Sequence, residues 1–331
     1  LTQFVHRAKD RGVKPEELAD WLGQSTEGRT RFAILLTLGE FAMDEIPPSR
    51  RSLLTRQLVT WYGDDPSSAI HGAVGWVLRN WGLTEPTAQV DRTAVPYEPI
   101  RDREWFVRQI DDDFFTFVVF EPGEFVMGSP ETETSRDVDE GQHRVKLTRR
   151  FAMSDREVSL GQWRRFTLSM GAIRPNDDRA SLTLDHAASA CLWAHAVVYC
   201  RWLTRQAGMT EQDQCYVPKE GEVERLDLHP DLWEFHPERP GFRLPTEVEW
   251  EYACRAETTT AFFFGSDLDL LPRYGWLLNN AGPSTHVGGM LRPNFRGLFD
   301  IVGNIFEWCH DGYADSFDDD LIDPVGPDTG H

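Results

Sequence analysis

No stretch of this sequence stays apolar for the ~20 residues that a membrane-spanning helix needs. The first residues also lack the charged-then-apolar order of a secretory leader, and they begin with Leu1 rather than Met, as an excised fragment would. Basic residues are few against acidic ones. The formal charge of −20 argues against a nucleic-acid partner, whose backbone wants clustered Lys and Arg. No two cysteines stand at C-x-x-C spacing, which removes the zinc-knuckle reading. The five that occur, Cys191, Cys200, Cys215, Cys254 and Cys309, read as reduced, buried thiols and suggest a cytoplasmic setting.

What remains is ample for packed structure: 331 residues, 40% hydrophobic, with twelve tryptophans. That length predicts two domains. Residues 1–83 read as an all-α segment. Apolar residues recur at helical spacing over 29–43 (Phe32, Leu35, Leu36, Leu38, Phe41), over 49–62 (Leu53, Leu54, Leu58, Trp61), and from a Ser67 or Ser68 cap to Trp81 (Ile70, Val74, Val77, Leu78). Their regular succession predicts a helical-repeat stack used as a scaffold. His71 lies among apolar residues and reads as a structural histidine. Residues 84–104, with three prolines and many charges, read as a linker.

From 105 to 331 the texture is α+β. Strands are expected at 114–121, 123–127, 143–145 and 151–158, with short helices between irregular loops. Ser159 with Gln162, and Thr246 with Glu249, have capping-box spacing and predict helix starts. Trp163 and Phe166 should face the core, and Trp193, Tyr199 and Trp202 should pack together. The carboxylates Glu247, Glu249 and Glu251 read as caps and ion-pair partners of Arg243 or Arg255 rather than catalytic acids. Asp311, Asp315, Asp318, Asp319, Asp320, Asp323 and Asp328 read as a solvated loop, with a cation site as the alternative.

The stretch from Pro293 to Trp308, PNFRGLFDIVGNIFEW, fits neither a helical nor a strand period, because its glycines interrupt both. It reads as a buried irregular loop with polar anchors. Asp300 and Glu307 offer hard carboxylate oxygens for a cation. The other reading is a metal-free turn in which Asn304 satisfies buried backbone groups.

This loop, the string FRLPTEVEWEYACR at 242–255, the M-G-S at 127–129 and the E-V-S at 157–159 together resemble the formylglycine-generating enzyme, or sulfatase-modifying factor, family. The resemblance covers residues 113–330. It implies a fold related to C-type lectins and a structural calcium held by the side chains of Asp300 and Glu307 and the carbonyls of Gly303 and Ile305. It further implies dioxygen-dependent oxidation of a cysteine in a protein, or of a small thiol, at a copper(I) ion held by two thiolates. In the family those cysteines follow the G-N-x-x-E-W loop, near an R-G-G-S block. This sequence has neither that block nor a cysteine after Cys309. The catalytic residues therefore remain unassigned, and copper is expected only if a further C-terminal segment supplies the thiolates. Cys254 and Cys309 read as structural thiols rather than an improvised metal pair.

A second family calcium site is not expected: Asn279 and Asn280 are present, but 281–289 carries no carboxylate. Iron, which related enzymes of ergothioneine-type synthesis bind on an H-x-x-x-H-x-E helix, is not expected either. His6 and His71 are the only histidines in 1–83. Two functions stay open: an oxidase acting on a cysteine or thiol, and a non-catalytic, calcium-stabilised, lectin-like binding or scaffolding module. An upstream kinase or other domain is a further expectation.

Overall fold

The computed structural model describes residues 2–98, 102–133, 136–171, 183–189, 191–312 and 321–326. Six helices come first: α1 (Thr2–Arg7), α2 (Pro15–Gln24), α3 (Gly28–Leu38), α4 (Pro48–Asp64), α5 (Ser68–Asn80) and α6 (Thr84–Asp91). α5 is their hub. α3, α4 and α6 all touch it, while α1 and α2 lie on α3. Every residue of α5 from Ser68 to Leu78 is buried, not only the face carrying Ile70, Val74, Val77 and Leu78. Part of its remaining surface is covered by the following region, whose Phe299 joins the helical core and whose Gly297 meets Gly72 backbone to backbone. No helix among the described residues is long and apolar enough to cross a membrane.

The cap of α5 comes from elsewhere than its serines. Glu104 Oε2 accepts from the Ser68 N–H at 3.0 Å, satisfying one of the donors that a helix start leaves open. His71 is buried, stacked between Tyr62 and Trp105, and its Nδ1 meets the Tyr62 carbonyl at 2.7 Å.

The stretch 84–104 departs from the linker reading. It contains α6, whose Thr87 is buried and whose Val90 packs on the helical core. Pro86 misleads because it falls in the first turn, where a missing N–H costs nothing. Tyr62 donates to Asp91, and Val95 exchanges backbone hydrogen bonds with Val107 at 2.9 and 3.0 Å. These residues therefore stitch the two regions together.

The second region holds three small sheets. β1 (Trp105–Ile110), β2 (Asp113–Phe120) and β5 (Phe151–Ser154) are antiparallel in the order β1-β2-β5. β3 (Gly123–Met127) pairs antiparallel with β4 (His143–Leu147), and β8 (Leu321–Ile322) runs parallel to β4. β6 (Tyr216–Pro218) and β7 (Trp233–Phe235) form a hairpin. Four helices join them: α7 (Leu160–Met170), α8 (Trp193–Gln206), α9 (Glu247–Arg255) and α10 (Leu278–Ala281).

β2 is buried on both faces, so it serves two cores. Phe115 and Phe117 meet Trp163 and Phe166 of α7 and Tyr199 and Trp202 of α8. Val118 and Phe120 meet Ala253 of α9 and Leu298 and Ile301 of the 293–308 loop. Both capping boxes form: Gln162 N–H donates to Ser159 Oγ, and Glu249 N–H donates to Thr246 Oγ1, each at 3.2 Å. β5 stops at Ser154 rather than continuing to Val158. The chain bends there, and the Asp155 carbonyl accepts from the Phe299 N–H at 2.8 Å. That bond brings Asp155, Arg156 and Glu157 to the loop.

Candidate functional site

The loop is built on side-chain anchors. Asn294 is fully buried; its Oδ1 accepts from the N–H groups of Arg296 and Leu298, and its Nδ2 donates to the Ala253 carbonyl at 2.8 Å. Gly303 sits at φ +92°, and a Cβ there would stand 2.3 Å from the Trp276 carbonyl oxygen, so only glycine fits. Asp300 and Asn304 also take positive φ, 54° and 58°, as short polar residues in tight turns can.

The four residues expected to hold a cation all lie on this loop. Asp300 is 2% exposed. Its Oδ2 accepts from the Gly289 N–H at 2.6 Å, while its Oδ1 is buried with no hydrogen-bond partner. Glu307 accepts from Trp250 Nε1 at 2.5 Å. The Gly303 carbonyl accepts from the Ile305 N–H at 2.7 Å, which leaves it a second lone pair. Asn304 does what the metal-free reading asks as well: it bonds the His286 N–H at 2.8 Å and the His286 carbonyl at 3.3 Å.

A fifth residue joins them that was read only as part of a motif. Glu157 Oε1 accepts from Asn304 Nδ2 at 3.0 Å, and its Oε2 is closed off from solvent without a partner. Burial pushes the Asp300 carboxyl up to about 6. Burial, then the charges of Asp300 and Glu307, push Glu157 well above the usual carboxylate range. Glu307 is also pushed up, by burial and then by Asp300, against the lowering effect of the Trp250 hydrogen bond. Glu307 lines a cavity but is exposed, as are its neighbours Phe306 and Trp308, and solvent there moderates its shift. Three acids that resist ionisation together, two with orphaned oxygens, fit a hard cation. Among the described residues, no three His, Cys, Asp or Glu side chains gather as a metal site. A cation here would lean on backbone carbonyls as well.

The cavity measures about 760 Å³. Trp163, Tyr199, Phe242 and Trp250 line it, together with Glu157 and Glu307. The Tyr199 hydroxyl is buried without a partner. Beside the cavity two tryptophans cross: Trp193 Nε1 donates to the Cys309 carbonyl at 2.9 Å and Trp308 Nε1 to the Cys191 carbonyl at 2.8 Å.

Other expectations resolve locally. Glu249 accepts both guanidinium arms of Arg243, at 2.5 and 2.6 Å, and Glu251 accepts from Arg255 at 2.6 Å. Neither is a free acid. Asn280 caps its own turn, with Oδ1 accepting from the Leu277 N–H at 2.6 Å. Asp311 accepts from the Glu247 N–H at 2.6 Å and Asp323 from the Thr148 N–H at 2.8 Å, so both are structural acceptors. Asp315, Asp318, Asp319, Asp320 and Asp328 lie outside the described residues. Cys254 Sγ lies 4.0 Å from the Ile301 carbonyl, and all five thiols are unpaired.

Residues 107–323 match the family described as "Sulfatase-modifying factor enzyme 1-like domain". The chain is 34% identical over 105 residues to the formylglycine-generating enzyme of Streptomyces coelicolor, covering 27% of this chain and 33% of that one. It is 26% identical over 243 residues to that of Bos taurus, covering 63% and 61%. It thus spans between a third and three-fifths of these curated relatives. Among solved structures, Treponema denticola variable protein 1 superposes with a TM-score of 0.58 at 24% identity, over 68% of this chain and 83% of that one. That likeness concerns the fold.

Proposed function

The chain belongs to the sulfatase-modifying factor enzyme 1-like family, and from that premise we propose that it serves oxidation of a cysteine or small thiol by dioxygen. The part of these residues is to bind the thiol-bearing segment. The observation that carries this reading is the 760 Å³ cavity walled by Trp163, Tyr199, Phe242 and Trp250. Its size and aromatic lining suit an apolar stretch of peptide.

The orphaned Asp300 Oδ1 and an all-oxygen donor set fit calcium, held by Asp300, Glu307 and the carbonyls of Gly303 and Ile305. Calcium there would neutralise buried negative charge. The loop would then stay closed against α9 and the cavity wall.

Copper(I) is a different matter, because it wants two thiolates. Burial pushes Cys215 up to about 11 and Cys191 and Cys254 up to about 12. Cys200 and Cys309 are pushed higher still, both by burial first, and Cys309 then by the nearby carboxylates of Asp311 and Glu247. These thiols do not fit that ion, so the redox step would need thiolates beyond the five. The same observation favours the second reading, a calcium-stabilised binding module without redox chemistry.

One experiment separates the two. Titrating the chain with a cysteine-bearing peptide, followed by tryptophan fluorescence, should show saturable quenching; its absence would overturn the binding role common to both readings. Oxygen consumption is then measured with that peptide, copper(I) and a reducing thiol. Turnover supports the oxidase, and saturable binding without turnover supports the module.

A further inference from the structure

The sheet of β1, β2 and β5 has two edges, and they are finished differently. On β1 the outward N–H and carbonyl of Val107 are both bonded to Val95. On β5 the outward groups have no such cover. The Asp155 N–H donates to the Thr116 carbonyl at 2.9 Å, which fixes the alternation of the ladder. Phe151 and Met153 therefore turn their backbone groups toward Phe120 and Val118 of β2, while Ala152 and Ser154 turn theirs away. No described residue bonds those outward groups. β5 also lacks the usual guards of an edge strand, since none of Phe151, Ala152, Met153 and Ser154 is charged or a proline.

This open edge gives onto the cavity. All four residues of β5 line it, and Ala152 is exposed. Phe106 and Phe117, stacked at 5.2 Å, continue the lining across the face of the sheet. A strand laid beside β5 would bond Ala152 and Ser154 through its main chain. Every second side chain would then fall on the face that carries these rings.

Charge narrows the occupant. Phe242 lies 5.9 Å from Phe117, whose partner on β5 is Ser154, so Phe242 marks the Ser154 end of the edge. Arg108 stands 5.4 Å over the Phe242 ring and donates to the Ala207 carbonyl at 3.4 Å. Arg239 donates to the Gln214 carbonyl at 3.0 Å. Both line the cavity, and among the described residues neither has a carboxylate partner. The cavity's other arginines do: Arg243 pairs with Glu249, Arg156 with Asp155, Arg150 with Glu121 and Arg149 with Asp323. Glu238, the acid next to Arg239, faces His236 at 3.4 Å. Two cations beside the edge are thus left for an incoming carboxylate.

We propose that the cavity receives its peptide as an added strand on the free edge of β5, with an acidic side chain of that peptide meeting Arg108 and Arg239. The inference rests on the peptide-binding reading above and deepens it, by giving the bound segment a conformation and a charge.

The probe is an octapeptide of alternating valine and threonine with a central cysteine and glutamate at both ends, titrated into the full chain under tryptophan fluorescence. Its alternation resists a one-residue slip, which would turn every side chain over. N-methylation of one peptide amide at a time should weaken binding about tenfold at every second position and by less than about threefold between them. Ala152→Pro removes an outward donor without touching the bonds to β2. It should weaken binding about tenfold with the melting midpoint unchanged; if that variant does not fold, the N-methyl series decides alone. Lysine in place of both glutamates should cost about tenfold, and Arg108→Gln should lose most of that difference.

No saturable quenching by the parent peptide would sink the peptide-binding reading itself. Binding with equal losses all along the N-methyl series would overturn the added strand alone. Equal affinity for the glutamate and lysine peptides would overturn the acidic preference. A dimer in sedimentation that Ala152→Pro turns into a monomer would give the edge to a second copy of the chain, and would overturn the peptide as its occupant.

Discussion

Gly72 of α5 and Gly297 of the 293–308 loop touch backbone to backbone. A Cβ on Gly72 would stand 2.8 Å from the Gly297 Cα, and one on Gly297 would stand 2.3 Å from the Ser68 carbonyl oxygen. The helical segment is thus seated on the loop that carries the candidate site, at a distance no other residue pair allows. Around this seat Phe299 enters the helical core, and Arg79 reaches the Gly289 carbonyl, whose own N–H serves Asp300.

Gly72→Ala should therefore destabilise the chain by about 1–3 kcal/mol, the usual cost of overpacking a closed contact. Gly23→Ala is the control. Gly23 lies inside α2 with nothing within 4 Å of its added Cβ, and the helix gains from alanine there. Thermal melting of both variants decides the matter: equal midpoints would mean that the seat does not form.

A shared seat also predicts shared unfolding. Residues 105–331 alone would expose Phe299 and strip Arg273 and Arg292 of Glu40, to which both donate. The full chain should melt in one transition, seen alike by near-ultraviolet dichroism and tryptophan fluorescence. Two separated transitions, or a stable 105–331 fragment, would show that the halves fold independently.

Much of this architecture was legible in the sequence because the signals are local. Thr246 with Glu249 marks the start of α9, Ser159 with Gln162 marks the start of α7, and Gly123–Met127 matches β3 end to end. What escaped was set by distant partners. The far side of α5 is buried by a loop more than two hundred positions later, and no helical periodicity can report that. α6 was hidden by a proline that is harmless in a first turn. Asp300 and Glu307 were visible because the loop carries both. Glu157 was not, because only the bend after β5 brings it there, and in sequence it is one acid beside a helix cap.

Glu40 gives the seat a pH signature. Burial raises its carboxyl, but the His6 hydrogen bond and the charges of Arg292 and Arg273 outweigh that and lower it overall. A carboxylate lowered in the folded state contributes stability above its unfolded value of about 4.3 and loses it as pH falls through the folded value. The parent chain should lose midpoint temperature faster than Glu40→Gln below pH ~4.3, while above that pH the parent is the more stable. Parallel curves from pH 3 to 7 would leave Glu40 without that role.

Glu307→Gln tests the cation from the opposite sign. Without metal, the carboxyl is raised in the folded state by burial and then by Asp300, so its ionisation opposes folding as pH rises past about 4.3. Solvent in the cavity moderates this cost without reversing it. In excess chelator at pH 8, Glu307→Gln should therefore match or exceed the parent in thermal midpoint. In saturating calcium the order should invert, because the variant has lost a ligand and the parent has gained one that neutralises its charge. At pH 4 in chelator the two should converge, since the parent is then protonated. The inversion between chelator and calcium is the decisive feature, because a purely structural hydrogen bond from Trp250 would cost the variant the same in both. Equal losses in the two buffers would remove the metal from the loop and leave Asn304 and its backbone partners as its whole support.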